Sequence, residues 1–124
     1  DNAKKYYSEL ESLGDFFSFQ ITTKDAENSH FGFPMVLKNN TYFNRDEICS
    51  YLNNNGIETR PIIAGNLARQ PANKLFEHKV SGELSNSDYI MDNGFSVGVH
   101  QSLSSDAINY VTGKIKEFIN MRTK

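Results

Sequence analysis

The sequence has no tryptophan, only three prolines and only one cysteine among its 124 residues. Because Cys49 has no second thiol to pair with, an intrachain disulfide is excluded, and a reducing cytoplasmic setting is expected. Cys49 also falls in a predicted amphipathic helix, where packing as a small apolar group is favoured over nucleophilic chemistry. The histidines His30, His78 and His100 are widely separated in sequence, without the spacing of metal ligands, so no metal site is predicted.

An excess of one charge and a long apolar run are missing as well. Thirteen basic residues stand against fifteen acidic ones, for a formal net charge of −2, and like charges form no long run. This balance gives no reason to expect nucleic acid as a partner. Since no apolar stretch approaches the roughly 20 residues of a membrane-spanning helix, no membrane partner is expected either.

Helical periodicity and capping residues are present along the chain. Asn44 stands three residues before Glu47, the spacing of a capping box, and Gly56 is placed to end the helix that follows. Further helices are predicted at about residues 3–13 and 84–91, a helical turn at 72–80, and a final helix capped by Ser104 or Ser105. The side chains of that last helix that we expect to face inward are Ile108, Val111, Ile115, Phe118 and Ile119.

Strand patterns alternate with these helices. Residues 32–37, 57–63 and 95–99 are predicted strands, and residues 16–21 are predicted to be extended. Pro61 has no N–H to donate, so the predicted strand 57–63 must lie at an edge of the sheet or have Pro61 at a non-pairing position. Short connections between strands and helices predict an α/β fold, a small two-layer domain of about three strands packed against helices. The length fits one domain, 1–124, with one core.

Three polar residues are candidates for ligand contact. The guanidinium of Arg60 can hold a carboxylate or phosphate through two parallel hydrogen bonds, although local sequence favours a salt bridge with a nearby acid or a solvent-facing side chain. Asn66 follows Gly65 in a predicted turn, and it can equally stabilise that turn by bonding the backbone. His100 follows a strand and precedes a loop, where a solvent-facing or locally hydrogen-bonded imidazole is the favoured alternative. No catalytic residue is identified.

The run from Asn55 to Ala72, NGIETRPIIAGNLARQPA, resembles a signature of the pyridoxal-phosphate-dependent nucleotide-sugar aminotransferase and dehydratase family. The stretches 31–35 (FGFPM) and 95–100 (FSVGVH) are also similar to segments of that family. The most specific part runs from Arg60-Pro61 to Gly65-Asn66-Leu67. It looks closer to the deoxysugar 3-dehydratase branch than to ordinary sugar aminotransferases.

The resemblance implies a fold-type-I enzyme in which this chain is the C-terminal small domain and the large cofactor domain is absent. It implies pyridoxal phosphate (PLP) or pyridoxamine phosphate (PMP) in the full-length enzyme and none on this piece, which alone should be inactive. The implied substrate is a nucleotide-linked keto-sugar of lipopolysaccharide or O-antigen biosynthesis. The full-length enzyme is expected to be a homodimer. Arg60 and Asn66, then His100, are the expected substrate-binding residues.

Two alternatives stay open at this point. A sugar aminotransferase of the same family would transfer an amino group to the keto-sugar, whereas a dehydratase would use the aminated cofactor to remove a sugar hydroxyl. A non-catalytic binding or assembly domain, which kept the fold and lost the chemistry, is an alternative of another class. Residues upstream of this chain would distinguish these possibilities, because a lysine or a histidine at the cofactor position indicates an enzyme.

Overall fold

A four-stranded sheet and four helices make up the computed structural model, which describes residues 2–39 and 42–123. In chain order, the elements are α1 (Asn2–Leu10), β1 (Phe17–Phe19), β2 (Phe33–Leu37), α2 (Arg45–Asn54), β3 (Thr59–Pro61), α3 (Ser85–Asn93), β4 (Gly94–Val97) and α4 (Ser105–Arg122). Short 3-10 helices cover Glu11–Leu13, Leu67–Arg69 and Pro71–Leu75. The α/β prediction is confirmed.

The strands are all antiparallel and lie in the order β1-β2-β4-β3. Our estimate of about three strands differs from the four observed because the extended piece at 16–21 pairs with β2, placing Phe17 opposite Leu37. β3 lies at an edge of the sheet, which is where a strand can accommodate a proline without an N–H such as Pro61. The strand is also shorter than the predicted 57–63, because the chain turns away after Pro61.

Helix boundaries follow the capping residues. Asn44 Oδ1 accepts the Glu47 N–H at 3.0 Å, and Glu47 Oε2 accepts the Asn44 N–H at 2.9 Å, so the predicted capping box is confirmed. Ser104, rather than Ser105, caps α4, since its hydroxyl oxygen accepts the N–H of Ala107 at 3.1 Å. The predicted turn at 72–80 forms a 3-10 helix only over Pro71–Leu75. None of the helices in the described parts of the chain is long and apolar enough to cross a membrane.

The core lies between one face of the sheet and helices α1, α2 and α4. The sheet contributes Met35 and Phe95, which face each other across β2 and β4, and Phe17 packs edge-on against Phe95. The final helix differs from our expectation at one position, since Val111 is only partly buried and Thr112 is 2% exposed. Thr112 is accommodated because its hydroxyl donates to the carbonyl of Asn109 at 3.2 Å. The other four predicted side chains are buried.

Candidate substrate-contact site

A groove of about 400 Å³ lies beside the edge strand β3. Its walls are largely apolar and include Phe31, Ile57 and Val111, and its polar groups include Arg60 and Tyr110. A few polar groups in an apolar concavity are typical of sites that bind small molecules. Arg60 therefore lies at a concave surface, and its contact with a ligand stays a prediction.

The charge of Arg60 is compensated by Glu58, with which its guanidinium forms an ion pair. The two side chains are 74% and 72% exposed, and an ion pair in solvent contributes little stability. The salt bridge that local sequence favoured is thus present, but a ligand anion could replace Glu58 at small cost. The Arg60 backbone is held independently, since its carbonyl accepts the Ser96 hydroxyl at 3.3 Å.

Asn66 is only 4% exposed and its side chain bonds within the protein. Its Nδ2 donates to Asp88 Oδ1 at 2.7 Å, while its Oδ1 accepts the Ala68 N–H at 3.1 Å and so caps the 3-10 helix Leu67–Arg69. These bonds support the alternative in which Asn66 stabilises the turn. Substrate contact by Asn66 stays a prediction.

Asp88 is a residue that sequence reasoning missed. Arg69 grips its carboxylate with two hydrogen bonds, from Nε at 3.0 Å and from Nη2 at 2.9 Å. These bonds, followed by the one from Asn66, lower the pKa of the Asp88 carboxyl, and the carboxylate in turn raises the pKa of Arg69. No local pattern could have found this pair, because 19 residues separate its members.

His100 lies on an exposed loop after β4 and is bonded locally. Its Nδ1 accepts the Ser102 N–H at 3.2 Å and lies 2.7 Å from the Ser102 hydroxyl, while its carbonyl accepts Asn2 Nδ2 at 2.8 Å. None of these bonds reaches Arg60 or Asn66, so His100 stands apart from them.

The described residues do not fit the covalent anchor of a PLP site. A Schiff-base lysine is activated by desolvation or a neighbouring cation, and no lysine within residues 2–39 and 42–123 is buried. Lys114 and Lys116 instead pair with the acids Glu117 and Glu9 at 2.7 and 2.8 Å. Cys49 offers no substitute nucleophile, because burial raises the pKa of its thiol.

We therefore expect that this chain, isolated, does not bind PLP stoichiometrically. Absorbance titration with PLP, followed by borohydride reduction and peptide mapping, checks the expectation. Weak, scattered labelling of exposed lysines is the expected background. A stoichiometric adduct at one lysine, formed with micromolar affinity, would contradict it and move the cofactor site onto this chain.

Residues 1–116 match the model of the DegT/DnrJ/EryC1/StrS aminotransferase family, which is nearly the whole chain. The chain belongs to this family. The resemblance seen in the signature run is thereby confirmed.

Family members with curated names are identical to this chain at about a third of the aligned positions. The chain is 37% identical over 112 residues to the lipopolysaccharide biosynthesis protein RfbH of Salmonella typhimurium, covering 90% of this chain and 26% of the relative. It is 34% identical over 112 residues to the GDP-4-keto-6-deoxy-D-mannose 3-dehydratase of Yersinia pseudotuberculosis, covering 90% and 28%. The chain thus spans just over a quarter of the length of these family members.

Solved structures of the family share the fold. The Escherichia coli GDP-4-keto-6-deoxy-D-mannose-3-dehydratase with bound hydrated PLP superposes with a TM-score of 0.81 at 32% identity, over 91% of this chain and 28% of that one. A family aminotransferase from Brucella abortus gives a TM-score of 0.76 at 20% identity, over 94% and 29%. The second match shows the fold alone, and both confirm the fold class predicted from sequence.

Proposed function

We propose that this chain is the C-terminal small domain of a PLP- or PMP-dependent enzyme that dehydrates a nucleotide-linked 4-keto-6-deoxysugar at C3, in lipopolysaccharide or O-antigen synthesis. One observation carries the proposal: the chain is 31–34% identical to curated 3-dehydratases over 99–112 residues. The signature run supports the same branch. Amination of the sugar is the competing outcome, and the expected setting is a cytoplasmic homodimer.

The role proposed for this domain is to cover and orient the substrate. When bound, the cofactor supplies the electron sink of the reaction, and the described residues include no buried lysine to anchor it. The groove beside β3 contributes apolar walls, and Arg60 contributes a cation matched to the diphosphate or to a carboxylate. A wall that excludes water strengthens such a contact, because the attraction between charges increases as the dielectric falls.

The full-length enzyme, loaded with PLP, tests the reaction with GDP-4-keto-6-deoxymannose and ¹⁵N-labelled L-glutamate as substrates. A dehydratase should release a 3-deoxy sugar nucleotide that contains no ¹⁵N, detected by mass spectrometry. Appearance of ¹⁵N in the sugar would identify an aminotransferase instead. A protein that binds the nucleotide sugar and transforms it in neither way would favour the non-catalytic binding domain. Omission of glutamate is the control.

Arg60→Lys in that enzyme should lower kcat/KM by about tenfold or more, equivalent to about 1.4 kcal/mol, while the melting temperature barely moves. Lysine keeps the charge but cannot form two parallel hydrogen bonds to one anion. Steady-state kinetics and a melting curve on the same sample measure the two effects. Arg122→Lys is the matched control, since Arg122 also pairs with a surface acid, Glu47, at 2.9 Å. Unchanged kinetics would remove Arg60 from the site.

A further inference from the structure

The turn that follows β3 packs against a single face of α3. We call residues 62–66 the signature turn. Asn66 bonds Asp88 at 2.7 Å, and Gly65 lies so close to Met91 that a Cβ at Gly65 would stand 2.5 Å from Met91 Cγ. Asp88 and Met91 are three residues apart, about one helical turn, so one side of the helix supports the end of the turn at Gly65 and Asn66.

Helix α3 is itself attached to the centre of the domain. The Tyr89 hydroxyl donates to the carbonyl of Leu37, the last residue of β2, at 2.6 Å. Arg45 Nη1, at the start of α2, donates to the Met91 carbonyl at 2.8 Å. Because these contacts join α3 to two other elements, the helix can serve as a fixed support for the turn.

Asp88 is the polar centre of that support. Its two oxygens accept three hydrogen bonds, two from Arg69 and one from Asn66, at 2.7–3.0 Å. Arg69 and Asn66 lie at the two ends of the stretch that leaves the signature turn, so one carboxylate holds both ends. Gln70 Nε2 closes the loop by donating to the Ala64 carbonyl at 2.8 Å. The carboxylate side chain is 30% exposed, which shields these bonds partly from solvent.

We infer that Asp88 is a positioning residue for the groove, acting through Asn66 and the signature turn on Arg60 and Ile63. Both of these residues line the groove, and they flank the point where β3 leaves the sheet. Releasing the turn would let this wall move, and Arg60 would then meet a ligand anion less often in the two-bond geometry. The inference deepens the proposed function and rests on it where substrate affinity is concerned.

Asp88→Asn in the full-length enzyme tests the inference, because it keeps the shape of the side chain and removes the charge. We expect KM for the nucleotide sugar to rise about tenfold with little change in kcat. Hydrogen exchange, followed by mass spectrometry of the peptide that covers residues 62–70, should become severalfold faster. A variant that only lost folded protein would show a lower apparent kcat and an unchanged KM. Glu9→Gln, which removes an ion pair between α1 and α4, is the matched control and should change neither quantity.

Arg69→Lys gives a milder second variant in case Asp88→Asn does not fold. It keeps the charge and loses the two-bond grip on Asp88, so it should shift exchange and KM in the same direction by less. Unchanged exchange of the 62–70 peptide in both variants overturns the inference, as does faster exchange with an unchanged KM. If the wild-type enzyme transforms no keto-sugar nucleotide, the proposed function fails, and the exchange measurement alone then decides whether Asp88 positions the turn.

Discussion

Ile115→Ala should lower the free energy of unfolding of this domain by about 2–5 kcal/mol. Ile115 is 0% exposed on α4, the helix that packs against both α1 and α2. The substitution removes buried methyl and methylene groups from the core, and the close-packed surroundings can fill the cavity only in part. Urea unfolding of the chain, followed by circular dichroism, measures the loss.

Met121→Ala is the control for this measurement. Met121 lies on the same helix and is 52% exposed, so its replacement should change the unfolding free energy by no more than about 0.5 kcal/mol. Comparable losses of unfolding free energy for the two substitutions would mean that Ile115 is not buried as the structure shows. A loss below about 0.5 kcal/mol for Ile115→Ala would lead to the same conclusion.

Gly65→Ala is the other substitution from which we expect a large loss, about 2–3 kcal/mol. Gly65 has a φ of +53°, a left-handed conformation that costs an L-residue such as alanine roughly 1–2 kcal/mol. The new Cβ would also lie 2.5 Å from Met91 Cγ and 3.1 Å from Met91 Cβ, so the helix side chain must move. Chemical denaturation measures the sum of these two costs.

Gly56→Ala separates the backbone cost from the steric one. Gly56 has a φ of +75°, but a Cβ there would meet no atom within 4 Å. Its replacement should therefore cost only the backbone strain, on the order of 1–2 kcal/mol. Equal losses at the two glycines would contradict the close approach of the signature turn to α3. Adding Met91→Ala to Gly65→Ala should recover part of the steric cost, which ties the effect to that contact.

Local sequence was sufficient for the starts of two helices and for the family. The capping box of Asn44 and Glu47 acts within three residues, so its pattern could be found without any tertiary information. The cap of α4 was narrowed in the same way to Ser104 or Ser105, and the structure shows that it is Ser104. Pro61 likewise indicated an edge or a non-pairing position, because a residue without an N–H cannot donate a hydrogen bond to a neighbouring strand. The signature run identified the family for the same reason, since its residues are contiguous.

Long-range pairing needed the tertiary structure. The extended piece at 16–21 forms a strand because it pairs with β2. On α4, Thr112 is buried and Val111 only partly so, because the packing of α1 and α2 against this helix decides which of its faces is covered. The candidate site shows the same division. The sequence by itself determined that Arg60, Asn66 and His100 carry usable polar groups. Only the tertiary structure decided that Arg60 lines a groove and that Asn66 is bonded to Asp88, because those neighbours come from distant parts of the chain and meet only through packing.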